Sequence, residues 1–211
     1  MNTLTEKVIE KVPFTTFTDT VLRDLIPGTD DRRYGLVKRA LKEGELIRLK
    51  RGLYALDEKW RRQPVNLYEA AQKIYGPSYV SLETALSHHG WIPEAVYTIT
   101  SVCFKRSKEF DTPLGRFNYV HIPSHDFFSG VRRVSSPNGI FFMATPWRAL
   151  ADYVYVHRKK WNGLKPVVED LRVDPSQLQS ADADLLKEIE QASRSSRVKN
   201  FIEGIRKELS L

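Results

Sequence analysis

Residues 44–56, GELIRLKRGLYAL, limit what this chain can become more than any other stretch. Two short runs of β-type residues, 46–49 and 53–56, flank Lys50, Arg51 and Gly52. Glycine supplies the positive-φ position that a tight turn needs, so the run predicts a hairpin with a cationic tip. A solvent-facing hairpin must be anchored by something. The preceding residues supply three candidate helices.

Leu4, Val8, Ile9 and Val12 recur at helical spacing and stop at Pro13. A second helix is expected from Thr16 or Thr18, either a suitable N-cap, through Val21, Leu22 and Leu25 to the Pro27-Gly28 break. A third, capped by Thr29 or Asp30, runs to Gly44. Projected at about 100° per residue, its Leu36, Val37, Ala40 and Leu41 form a buried stripe. Arg32, Gly35, Lys38, Arg39 and Lys42 lie opposite, and Arg33 sits near the stripe but could snorkel outwards. A basic helix followed by a basic-tipped hairpin is the arrangement of a winged helix-turn-helix.

Charge supports a polyanionic partner. The chain of 211 residues carries a formal +7, with a pI near 9.4. Between positions 32 and 51, Arg32, Arg33, Lys38, Arg39, Lys42, Arg48, Lys50 and Arg51 stand against Glu43 and Glu45. Eight less two is +6, almost the whole excess. A charge run is ordinarily a solvated face. Here the neighbouring hairpin makes double-stranded DNA the expected partner, with those eight cations as its contacts.

The polar stretch 57–66, with Pro64, reads as a boundary between a unit at 1–62 and another at 63–211. The second is expected to be mixed. A helix at 67–75 has Ala70, Ala71 and Ile74 inward. A short strand follows at Tyr79-Val80, then a helix capped by Ser81, strands at 97–104, 117–122 and 140–144, and a turn at 111–115. Pro146 opens a long helix, and further helices are expected at 164–171, 184–192 and 198–209. The expected class is therefore α+β, an N-terminal winged helix-turn-helix before a mixed domain with C-terminal helices.

Four motifs in this order, RGLYAL, SYVSLETALSHHG, GRFNYVHI and MATPWRALADYVY, together resemble the AbiEi-type antitoxins of type IV toxin-antitoxin systems. The resemblance covers about 14–156. It implies a winged-helix DNA-binding domain joined to a C-terminal antitoxin domain, autorepression through inverted repeats in the operator, and counteraction of a nucleotidyltransferase-type toxin without need of a stable complex. It also implies a link to abortive infection and phage defence. Trp147-Arg148 departs from the acidic or lysine-containing pair common before Ala-Leu in that family. The loop Phe127-Phe128-Ser129-Gly130 keeps the family's glycine.

Catalytic chemistry is not expected. His121 and His125 are separated by Pro123, so they cannot pair on one regular helix as metal ligands, and no metal or cofactor is predicted. Cys103, the single cysteine, lies mid-strand, where an inert buried thiol is the default, and a cytoplasmic location follows from the absence of a disulfide framework or leader pattern. Asp152 lies within an apolar helix face with Arg148 at i−4 to pair with. Two other readings stay open: a plain transcription factor whose second domain senses a ligand or dimerises, and a nucleic-acid-processing enzyme.

Overall fold

The structure, a computed structural model, describes residues 2–137 and 139–211. It opens with α1 (Thr3–Lys11), β1 (Thr16–Thr18), α2 (Asp19–Leu25), α3 (Asp30–Lys42), β2 (Leu46–Lys50) and β3 (Leu53–Leu56). Local chemistry sets the ends of these elements. The Asn2 and Thr29 side chains each accept a backbone N–H in the first turn of α1 and α3, and Gly44 adopts φ +67° just past α3. Of the two expected caps Thr18 is the N-cap of α2, and the strand over residues 16–18 was not foreseen. The alternating Thr-Phe-Thr run is a strand paired with Leu53, Tyr54 and Ala55, its Phe17 buried, and α2 begins only after Thr18. β-branched threonines favour that pairing over a helical turn.

β1, β3 and β2 form an antiparallel sheet in that order. One face closes over Leu4, Val8, Leu22, Val37 and Ala40 from the three helices. Glu45 lies buried at the entry to β2, where its carboxylate accepts the Asn2 N–H at 2.9 and 3.0 Å and the Thr5 hydroxyl at 2.5 Å. Burial by itself raises a carboxyl pKa, but the hydrogen bonds from Thr5 and Asn2 outweigh it and hold Glu45 below its ordinary 4.5. A depressed folded-state value contributes stability above the unfolded value, and that contribution is lost as pH falls through the folded one. Denaturant titrations of Glu45→Gln should therefore show a deficit at neutral pH that closes as acid protonates the wild-type carboxylate. A pH-independent deficit would refute this account.

The remainder comprises α4 (Leu67–Ile74), β4 (Ser78–Val80), α5 (Leu82–His88), β5 (Ile99–Cys103), β6 (Lys108–Thr112), β7 (Gly115–His121), β8 (Val131–Ser136) and β9 (Gly139–Ala144). Five helices follow: α6 (Pro146–Val156), α7 (Lys165–Leu171), α8 (Pro175–Leu178), α9 (Ala183–Ala192) and α10 (Ser196–Glu208). The six strands form one mixed sheet, β6-β7-β5-β4-β9-β8. Leu82, Leu86, Leu150, Val154, Phe201 and Ile205 pack one face. Ala70, Ala71 and Ile74 of α4 cover Ile99, Cys103, Phe117 and Tyr119 on the other. The fold is α+β. β6, β8 and α8 were not foreseen.

The apolar cluster beneath α4 crosses the expected boundary at 62/63. Leu49, Leu53 and Ala55 of the hairpin belong to the same buried cluster as Ala71, Ile74 and Phe117. The small sheet is thus buried on both faces, with α1–α3 on one side and α4 with the large sheet on the other. Residues 57–66 separate two stretches that each keep a core cluster of their own, and this third cluster joins them.

Candidate nucleic-acid interface

On α3, Val37 and Ala40 are buried, and Arg32, Tyr34, Gly35, Lys38, Arg39 and Lys42 are exposed. The cations on that face stand where helical periodicity puts them. Tyr34, 67% exposed, was not singled out from the sequence, although an aromatic one turn before Lys38 on a polar face was a readable signal.

Between α3 and the hairpin runs a groove of about 560 Å³. Arg23, Arg33, Arg48 and Arg51 line it together with Asp19, Asp30, Tyr34 and Tyr54. Four guanidiniums against two carboxylates leave its walls at +2. Arg23, contributed by α2, lies outside the +6 segment and was missed for that reason. Arg48 and Arg51 are exposed at the hairpin end of the groove.

Two of the eight expected contacts are held elsewhere. Arg33 does not snorkel outwards. Its side chain is only 14% exposed and donates to the Ile26 and Gly28 carbonyls at 3.1 and 2.6 Å, while also pairing with Asp30. It ties down the α2–α3 turn, and its charge with its hydrogen bond pulls the Asp30 pKa below the usual carboxylate range. Lys50 turns away from the tip altogether. The β2–β3 register shifts between Arg48, opposite Tyr54, and Lys50, opposite Leu53, so strict alternation fails after Arg48. Lys50 follows Leu49 towards the second unit, and its ammonium donates to the Ile74 carbonyl at 2.6 Å. Burial, then the nearby Lys105 and Lys108 ammoniums, push its pKa down.

Gly52 fixes the tip. It adopts φ +76°, and a Cβ there would stand 2.8 Å from Asp19 Oδ2, while its carbonyl accepts the Asp19 N–H at 3.2 Å. Gly52→Ala should cost about 1–2 kcal/mol for the left-handed backbone alone, measured by urea unfolding. A neutral result would mean the tip has no fixed geometry.

Polar residues of the second unit meet inside it. Arg148 and Asp152 pair at 3.0 Å, as their spacing predicts, and both are buried. The Arg148 guanidinium also donates to the Tyr79 hydroxyl at 2.6 Å and the Ser129 carbonyl at 2.7 Å. Asp152 accepts from Tyr79 at 3.0 Å and from Ser81 at 2.7 Å. Ser81 therefore gives its hydroxyl to Asp152 and does not cap α5 through its side chain. Burial lowers a guanidinium's pKa, but Asp152 overrides it and Arg148 is driven up. Burial, reinforced by Asp152, drives the Tyr79 hydroxyl well up. The space beside this network is about 10 Å³, room for roughly one water. Gly130 completes the enclosure. A Cβ on it would come 2.9 Å from Ile189 and 3.0 Å from Arg148. This network holds α6 to β4 and the 127–130 loop.

Cys103 is buried, its thiol donating to the Lys105 carbonyl at 3.1 Å, and burial raises its pKa. His121 places a ring nitrogen 3.4 Å from the Cys103 carbonyl, and His125 donates its backbone N–H to Ala192. No helix among the described residues is long and apolar enough to cross a membrane. No protein-family model matches the chain, and no curated protein matches it.

Proposed function

We propose that this chain is a winged helix-turn-helix repressor that binds operator DNA through α3 and the β2–β3 hairpin. The observation that carries the reading is a set of exposed cations on α3 beside a groove that Arg48 and Arg51 of the hairpin line, within a helix-strand-helix-helix-hairpin order. Arg32, Lys38, Arg39 and Lys42 face out from α3, and a groove leads from its first turns to Arg48 and Arg51. A helix of this width enters a major groove, and the channel between helix and hairpin suits the intervening phosphate backbone. Arg23 is added to the contacts, and Tyr34 can donate to a phosphate or base edge.

Charge reversal at Lys38, Arg39 and Arg51 together should weaken binding to the DNA upstream of the gene at least about a hundred-fold near 0.1 M salt, and flatten the dependence of log K on log salt. Lys50→Gln should leave that slope unchanged, because its ammonium is held by Ile74. Fluorescence anisotropy across a salt series measures both. Normal binding by the triple variant would sink the reading.

The chain's role extends, in this proposal, to autorepression at inverted repeats and neutralisation of a nucleotidyltransferase-type toxin. Support comes from the motif resemblance alone. Within the fold, Tyr79 and Ser81 of the second motif meet Arg148 and Asp152 of the fourth in the buried network, so these shared residues serve architecture. Co-expression with an adjacent nucleotidyltransferase-like gene tests it. Growth rescue is the expected outcome, and unrelieved toxicity would leave a plain repressor.

A further inference from the structure

Three exposed phenylalanines converge on the large sheet: Phe104 just past β5, Phe128 before β8, and Phe142 in β9. They are 64%, 45% and 38% exposed. Ring contacts join them into one row. Phe104 meets the half-buried Phe127 edge-on at 5.8 Å, Phe127 meets Phe128 at 4.9 Å, and Phe128 meets Phe142 at 5.4 Å. Ile140, also exposed, lies two residues before Phe142 on the same face of the strand. Single exposed apolar side chains are ordinary, but a contiguous patch of them marks an interaction surface.

Cations stand at both ends of the row. Arg133 is the cross-strand partner of Phe142, so the two side chains share a face, and its guanidinium donates to the Ser135 hydroxyl there at 3.3 Å. At the other end Lys105 and Arg106 follow Phe104 directly, and both are exposed. The Lys105 and Lys108 ammoniums lie 5.6 and 6.0 Å from the centre of the Tyr75 ring, close enough to Lys50 to push its pKa down. No ion pair among the described residues engages Lys105, Arg106, Lys108 or Arg133. Asp126, the carboxylate nearest the row in sequence, accepts the Phe128 N–H at 3.2 Å. The loop that carries Lys105 and Arg106 is pinned from below. The Cys103 thiol donates to the Lys105 carbonyl, the Tyr75 hydroxyl to the Arg106 carbonyl at 3.1 Å, and the His121 N–H to the Ser107 hydroxyl at 2.9 Å.

We propose that the row from Phe142 to Phe104 binds a single nucleic-acid strand. Its bases stack on the exposed rings, and its phosphates meet Arg133 at one end and Lys105 and Arg106 at the other. Duplex bases stack on one another and present only their edges in the grooves, so the row does not suit the operator itself. A neutral apolar partner would cover the rings and leave the cations at both ends unanswered. The row shares no residue with α3 or the groove beside the hairpin, so this inference stands or falls apart from the duplex-binding reading.

Fluorescence anisotropy of the full chain with labelled oligo(U), oligo(dT) and an abasic strand, each of about 12 nucleotides, tests it. One or both of the base-bearing strands should bind at micromolar concentration, and the tighter identifies RNA or DNA as the source. The abasic strand keeps the phosphates and should bind roughly ten-fold more weakly. Phe104→Ala and Phe142→Ala should each weaken the tighter strand roughly ten-fold while leaving the abasic one nearly unchanged. Lys105→Glu with Arg133→Glu should weaken all three and flatten the salt dependence. Charge reversal at Lys38, Arg39 and Arg51 should leave strand binding within about three-fold, because screened charges act over roughly 10 Å. The side chains changed on the row are exposed, so these variants are expected to fold, and thermal melts check that. Absence of strand binding at about 100 μM overturns the proposal. So do equal affinities for abasic and base-bearing strands, or binding indifferent to both phenylalanine variants. Capture by anionic phospholipid vesicles in place of strands would assign the row to a membrane surface and likewise overturn it.

Discussion

Arg148→Ala should lower the unfolding free energy by about 3–5 kcal/mol. The loss has little to do with the intrinsic worth of an ion pair. Deleting the guanidinium leaves Asp152 charged and buried with only the Tyr79 and Ser81 hydroxyls, and strips the Ser129 carbonyl of its donor. The double variant Arg148→Met with Asp152→Asn removes both charges at closely similar volume, keeps an acceptor for the Tyr79 and Ser81 hydroxyls, and should recover part of the loss. Urea denaturation of the two variants decides it. If the double variant is no better than the single one, repair of a stranded charge is not what stabilises this site.

Leu53→Ala should cost about 2–5 kcal/mol, the range for truncating a fully buried leucine. Its other consequence is more telling. Leu53 is 1% exposed within the cluster that joins the hairpin to α4 and the large sheet. Destabilisation should therefore appear in both halves of the chain at once. Three of the four tryptophans, Trp91, Trp147 and Trp161, lie in the second unit and Trp60 just before it, so Trp fluorescence reports mainly that unit, and hydrogen exchange reports α1 to α3 directly. One coincident transition, moved as a whole by Leu53→Ala, is expected. An N-terminal unit that melts early while the rest stands would show the shared cluster to be energetically negligible.

Most of the framework could be read from local chemistry. The Thr29 cap, Pro146 at the first turn of α6, the Pro13 stop, the Gly52 turn and the Arg148–Asp152 spacing act within a few residues of themselves, and the structure has each in place. Two of the strands that escaped have a signal diluted by exposure. β6 and β8 are the two edges of the large sheet. Edge strands carry charge to deter further pairing, so KEFDT and VRRVSS lack an apolar run.

The hairpin illustrates the other limit. Arg48 and Lys50 look equivalent by alternation, and a one-residue register shift separates their fates. Such an irregularity depends on partners distant in sequence. One clue was available nonetheless. Leu53-Tyr54-Ala55-Leu56 is apolar throughout, as a strand covered on both faces must be, whereas a wing with one free face would alternate. Arg33 shows the same lesson in reverse, since its position near the buried stripe was visible and its carbonyl partners at Ile26 and Gly28 were not.

The double burial of the small sheet bears on how this chain could be re-engineered or diversify. A free-standing DNA reader can be exchanged between proteins as a cassette, with the linker absorbing any mismatch. Here Leu49, Leu53 and Ala55 form part of the wall of the neighbouring core. Grafting another reader onto residues 63–211 would leave that wall open unless the donor brought matching leucines, and Lys50 would need a substitute at the Ile74 carbonyl. Under the DNA-binding reading proposed above, new target sequences would therefore be reached more readily by substituting on the outer face of α3, at Tyr34, Lys38 or Lys42, than by swapping residues 1–62 as a unit.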